Sequence, residues 1–295
     1  MIPQVARKDD VLKGIFFINT SFFLFSTVSA IVKWTSSTFD ILQIVFLRNV
    51  IALLPAMFIV WYSGGLIHLS TKRMWGHFLR SFCGLMAMVT SFASFKFLPL
   101  PEAFTLSFTA PFFIIILSVI LLKEHVQLYR WTAILFGFLG VVIMAGPNGY
   151  FGNVGTVFAL ISVLFYGFGM LQIRELSKTE HPVTIMFYFT LFSTIVTAIP
   201  MPFFWKSPDN IDWVLFLLLG FLGGFGQFML SKAYSFAAPS SLAHYQYVVM
   251  IWGVFYGWII WGDLMSWTGL LGALLIISSG LYIVHRERLE REATS

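Results

Sequence analysis

The sequence predicts an all-α polytopic membrane protein with ten transmembrane helices arranged as two inverted five-helix repeats. Three observations carry this. The 295 residues are 58% hydrophobic and only 11% charged, with a mean hydropathy of +0.86. A soluble chain carries about 25% charged residues, so much of this apolar surface must face lipid. Apolar stretches near the 20 residues a span needs occur ten times, at 12–34, 41–62, 74–97, 101–122, 131–145, 155–176, 182–204, 213–236, 243–261 and 267–285. The fifth is short, and a start near Leu128 would lengthen it. Finally, 79–143 has an ungapped echo at 219–283, with eleven identities in 65 positions. Unrelated apolar segments share roughly one residue in ten, so the order of features weighs more than the count. Both copies run small-residue helix, proline turn, aromatic helix, acidic turn and glycine-bearing helix.

The elements follow in order. The leader MIPQVARKDDVLKG has no cleavage site behind an apolar core, and reads as a cytosolic lead-in rather than a signal peptide. Lysine and arginine collect on cytosolic segments. With the N-terminus inside, Arg7, Lys8, Lys13, Lys72, Arg73, Lys123, Arg130, Arg174, Lys178, Arg286, Arg288 and Arg291 are cytosolic, against Lys33, Lys96 and Lys206 outside. Both termini are therefore expected in the cytosol. Residues 12–147 form the first repeat, 153–285 the second, and 286–295 a charged cytosolic tail. Five spans per half is an odd number, so the second half enters from the opposite side. An inverted repeat offers one outward-opening and one inward-opening arrangement, the geometry of secondary transporters, with a site near mid-membrane.

Other classes lack support in the residues. The chain has no P-loop, HExxH, GxSxG or Cys/His cluster at metal spacing, and the reading is of no enzyme and no cofactor. Cys83 is the single cysteine, so no disulfide framework is possible within the chain. The net charge of +5 fits a basic cytosolic face, not nucleic-acid binding. The expected partners are a small-molecule substrate and the lipid bilayer.

Ionisable residues inside a membrane usually face a cavity or a partner. Arg48 lies deep in the second span and is a candidate substrate ligand, with helix locking as the rival role. Asn49 points about 100° away. Arg80 and Lys232, near inner span ends, read either as snorkelling side chains or as groups that bind a phosphate or carboxylate, or serve in coupling or gating. Glu102 opens the fourth span, as a helix-terminus carboxylate or a titratable group at the outer mouth of the cavity. Tyr245, Trp252 and Tyr256 recur at spacings of seven and four, which puts them on one helical face suited to stacking or cation–π contact. Tyr247 lies on another flank, and His244 is a further coupling candidate. Gln227 would be costly against lipid, so it joins the substrate-binding candidates, with Tyr166 as a weaker one. Gly220 and Gly224 permit close helix approach.

In this order the motifs resemble the drug/metabolite transporter superfamily and its EamA-type ten-span members. The carriers of the resemblance are FLRN followed by LLP, the turn ASFKFLPLPEA and its counterpart AYSFAAPSSLA, the acidic turns LLKE and WGD, and the glycine-bearing fifth and tenth spans. FLRNVIALLP, HFLRSFCGL, LYRWTAILFGFLGVV and SKAYSFAAPSSLAHYQY are similar to S-adenosylmethionine uptake carriers of obligate intracellular bacteria. The resemblance implies an inner-membrane secondary carrier of S-adenosylmethionine or a related organic cation or amino-acid-like solute. It matches Arg48 to the second-span arginine and Tyr247 to a ninth-span tyrosine, and places spans five and ten at the periphery, open to a homodimer contact. Rival expectations are an exporter of amino acids or drugs, a lipid-handling protein, or a channel. Proton coupling would rest on Glu102 or His244; substrate exchange fits the scarcity of buried carboxylates better.

Overall fold

A computed structural model describes residues 8–62, 65, 69–123, 127–145, 153–176, 178–236, 245 and 247–294. Among these, twelve α-helices account for the ten expected spans. They are α1 (Lys8–Thr35), α2 (Ile41–Tyr62), α3 (Met74–Phe97), α4 (Leu100–Ser107), α5 (Ala110–Leu122), α6 (Leu128–Ala145), α7 (Val154–Leu176), α8 (Pro182–Ala198), α9 (Met201–Phe204), α10 (Asn210–Phe236), α11 (Val248–Tyr256) and α12 (Trp267–Thr294). Seven segments are long and apolar enough to cross a membrane, and Leu128–Met144, Val183–Ala198 and Val248–Trp261 are shorter apolar helices. The protein is thus an all-α polytopic membrane protein. Leu135, Phe203 and Trp267 are among many large apolar side chains more than two-thirds exposed, as a lipid-facing surface requires.

The boundaries differ from the sequence reading where backbone chemistry intervenes. The fourth span is two helices, because Pro111 has no N–H to continue the ladder and disfavours helical backbone before it. Thr109 Oγ1 donates to Leu106 O at 2.7 Å and Ser107 Oγ to Phe104 O at 2.6 Å, so side chains satisfy carbonyls near the break. The seventh span divides at Pro200 into α8 and α9. The ninth ends in a π-helical turn, Gly257–Trp261, closed by Gly262 at φ 69°, where a side chain would be strained. The fifth span does start at Leu128, and the tail continues α12 as helix.

Helix contacts recur in pairs. α3 packs on α7, and α1 on α10; α2 meets α10, and α8 meets α3; α4 meets α7, and α11 meets α1. α2 with α8, α4 with α11, and α6 with α12 complete the set. Glycines allow the close approaches. A Cβ on Gly140 would lie 2.7 Å from Gly272 O in the α6–α12 contact. A Cβ on Gly220 would lie 2.4 Å from Ile51, and one on Gly224 2.6 Å from Pro55, where α10 meets α2.

The bundle's two ends differ. The end holding both described termini is termed here the terminal end. At the far end, Lys33 Nζ lies 2.8 Å from Asp263 Oδ2 and donates to Leu98 O at 3.1 Å. Gln43 donates to Lys206 O at 2.6 Å and accepts from Lys206 N at 3.0 Å. Below them Phe39, Ile44, Phe95, Leu98, Leu100, Phe104 and Phe216 form one buried cluster. This end is sealed.

Candidate functional site

Two adjoining cavities occupy the middle of the bundle and run toward the terminal end. The first, about 500 Å³, is walled by Arg48, Ala52, Pro55 and Ile59 of α2, Arg80 of α3, Met186, Phe189 and Thr190 of α8, and Gly223, Gln227 and Lys232 of α10. The second, about 440 Å³, is walled by Gly84, Met88 and Ser91 of α3, Ser107, Phe108 and Pro111 at the α4–α5 break, and Ser162, Tyr166 and Met170 of α7. Arg80, Ile173 and Phe189 line both.

Arg48 is held by its neighbours rather than by a carboxylate. Its Nη1 donates to Asn49 Oδ1 at 2.9 Å, and Asn49 is fully buried with its Nδ2 directed at Met88 Sδ, 3.9 Å away. The guanidinium lies against the bare backbone of α10: a Cβ on Gly223 would sit 3.2 Å from Arg48 Nη2. Arg80 stacks on Phe189, with Cζ 4.0 Å from the ring centroid, a favourable cation–π geometry. Gly84 makes the space, since a Cβ there would lie 2.8 Å from Phe189 and 2.9 Å from Arg80 Nη1. Arg48 Nε and Arg80 Nε and Nη1 are buried and meet no hydrogen-bond acceptor among the described residues. Such atoms are costly to desolvate without an acceptor.

The structure therefore brings Arg48, Arg80, Gln227 and Lys232 into one cavity and puts Tyr166 in its neighbour. It distributes the remaining candidates elsewhere. The face shared by Tyr245, Trp252 and Tyr256 is directed to α1 and α10, not to either cavity. Tyr256 Oη lies 2.7 Å from Thr27 Oγ1, the Trp252 ring is 4.7 Å from that of Phe23, and Tyr245 packs beside Ile18 and Ala233. Tyr245 precedes α11, and the side chains of Trp252 and Tyr256 meet a neighbouring helix rather than a cavity. Tyr247 packs on Phe108, ring centroids 5.0 Å apart, where α11 crosses the α4–α5 break, and its hydroxyl fits over Gly280. Glu102 is 2% exposed within the sealed far end, with Oε2 unpartnered among the described residues, so it stands at no open mouth. His244 lies outside the described residues.

Sequence reasoning gave no site role to Phe189, Asn49, Gly84 or Gly223. Phe189 stands 141 residues after Arg48, the offset at which Gly14, Ser21 and Lys33 match Gly155, Ser162 and Arg174. That register was the available signal. The glycines carry no signal of their own, because their role is the volume they leave.

A many-span helical bundle with a largely apolar central cavity that bears arginines defines the class: a membrane protein with room for a solute in its interior. Comparison with known proteins makes the assignment specific. The EamA-like transporter family model matches residues 12–146 and 153–284, and the chain belongs to that family. It is 28% identical over 274 residues to the pseudopaline exporter CntI of Pseudomonas aeruginosa (strain UCBPP-PA14), covering 91% of this chain and 95% of that protein. It is 27% identical over 290 residues to an S-adenosylmethionine uptake transporter of Rickettsia bellii (strain RML369-C), covering 95% and 97%. It is 24% identical over 287 residues to a riboflavin transporter of Vibrio cholerae, covering 95% of each. A solved crystal structure shares the fold at a TM-score of 0.63 and 17% identity, over 97% of this chain and all of that one.

Proposed function

We infer that this protein is a secondary carrier that moves a small metabolite across a bacterial inner membrane by alternating access, with both termini cytosolic and the two halves working as inverted repeats. The observation that carries the reading is the central cavity itself. Helices of both halves wall it, it runs toward the terminal end, and the far end is closed. The paired helix contacts support the repeat: exchanging each span for the one five later turns α3–α7 into α10–α1, α2–α10 into α8–α3, and α4–α7 into α11–α1. The α4–α5 break at the second cavity matches the discontinuous helices found at carrier sites. On this reading the structure is the inward-open form.

The relatives' printed solutes set the first candidates: S-adenosylmethionine, pseudopaline and riboflavin. Uptake and export use the same geometry, and the relatives include both. The test is counterflow: full-length protein in liposomes preloaded with one unlabelled candidate takes up the same labelled compound. Saturable uptake above that of protein-free liposomes identifies a carrier. Flux that does not saturate and shows no counterflow identifies a channel and removes the reading. Rescue of an auxotroph then marks import, and resistance or efflux marks export.

A further inference from the structure

We propose that the transported solute is a net anion whose oxyanion group, a carboxylate or a phosphate, is held between Arg48 and Arg80, with its apolar portion in the second cavity. The inference rests on the carrier reading and names the solute class of the same site; of the first candidates it sets aside S-adenosylmethionine, a net cation, and riboflavin, which is neutral. Two arginines, Arg48 and Arg80, line the first cavity, and among the described residues neither cavity is lined by an aspartate or glutamate. No described carboxylate in these walls balances the two guanidiniums. Buried N–H groups of both guanidiniums meet no acceptor among the described residues, so neither side chain is satisfied by the protein, and a planar guanidinium beside a cavity is suited to bind carboxylate or phosphate.

The contrast with the far end sharpens the point. There a lysine of the same half has its own carboxylate, Asp263, at 2.8 Å. The two arginines have instead an amide oxygen, an aromatic face and two glycines, all of which position a guanidinium without neutralising it. Arg80 and Phe189 belong to both cavities, so a group bound at Arg80 lies at the entrance to the second. That second cavity is walled largely by Met88, Phe92, Phe108 and Met170, a surface for an apolar or aromatic body.

The test is binding to the purified full-length chain, read by thermal unfolding and by calorimetry. Four probes share an aromatic group: N-benzoylglutamate, its neutral dimethyl ester, 4-phenylbutyl phosphate and the cation 4-phenylbutylamine. The proposal expects one or both anions to bind, and the ester and the amine at least tenfold more weakly, in line with charge-assisted bonds. Which anion binds tells carboxylate from phosphate. Arg48→Gln and Arg80→Gln each weaken the anion about tenfold or more, while Arg48→Lys and Arg80→Lys, which keep the charge, recover part of the loss. All four variants are first checked for unaltered unfolding without probe. Equal or tighter binding of the ester or the amine overturns the proposal. So does an absence of anion binding up to about 10 mM, beyond the weak end of specific affinity. Counterflow of a bound probe separates the two readings. Anion binding without counterflow overturns transport alone, and exchange of the amine without anion binding overturns the anion proposal alone.

Discussion

At the far end of the bundle, Lys33 meets Asp263 at 2.8 Å and lies over the Trp261 ring, 5.0 Å from its centroid. Nearer the middle, Arg48 and Arg80 are packed as closely, yet against an amide, a phenyl ring and bare glycine backbone. The first arrangement is complete in itself: charge is balanced and the helices are tied together. Among the described residues, the second leaves donors and charge unbalanced beside a cavity. Breaking a buried pair costs several kcal/mol because one charge is stranded, so a fold selected for stability alone gains nothing from stranded arginines. The difference separates a cation that closes the protein from cations that await a solute.

The strongest test of that contrast is to remove one unpaired arginine. Arg48→Ala is expected to reach the membrane and unfold normally but to lose about 10- to 100-fold in transport, the value of one charge-assisted contact with the solute. Liposome uptake of the identified solute measures it, and wild-type transport would move Arg48 to a purely structural role. A second test leaves the charge and takes its space. Gly84→Leu places side-chain atoms where Phe189 and Arg80 already lie, 2.8 and 2.9 Å from the Cβ position. Transport is expected to fall by about tenfold, since well-packed sites resist added volume; unchanged transport would show that the Arg80–Phe189 stack can move aside at no cost.

The paired end is predicted to behave differently. Asp263→Asn strands Lys33, which weakens the sealed form and raises the population opened to the far side by about tenfold, equivalent to ~1.4 kcal/mol. The readout is maleimide labelling of Phe95→Cys, a residue now 5% exposed in the sealed cluster, in a Cys83→Ser background. No gain in labelling would mean that apolar packing alone closes that end. The smallest effect is expected for Tyr256→Phe. It deletes the 2.7 Å contact with Thr27, worth ~0.6 kcal/mol between membrane helices, and should lower the melting temperature slightly with transport nearly unchanged. A large loss of transport would return the ninth-span aromatics to the solute site.

These tests also show where the sequence was informative. Composition and period gave the helical membrane class because lipid contact leaves few choices at most positions. Arg48, Arg80, Gln227 and Lys232 could be singled out because a polar group in an apolar run needs a reason to be there. The ninth-span aromatics were misdirected because a helical face declares its composition but not its neighbour, and α1 supplies Thr27 and Phe23 to that face. Gly84, Gly223 and Asn49 received no site role for the opposite reason: they act by leaving room or by orienting Arg48, and neither role marks the residue itself. The break at Phe108 is written in Pro111, but its place beside the second cavity depends on the crossing with α11.

The most direct measurement of the central claim is the sidedness of the cavity. Gln227, on the wall of the first cavity, is changed to cysteine in a Cys83→Ser background and placed in liposomes of known orientation. A membrane-impermeant maleimide is applied from either side. The account predicts labelling from the side that holds the termini, little from the other, and labelling from that other side once Asp263→Asn is added. Equal labelling from both sides in the parent protein, or labelling from neither, would contradict a central site opened to one side at a time.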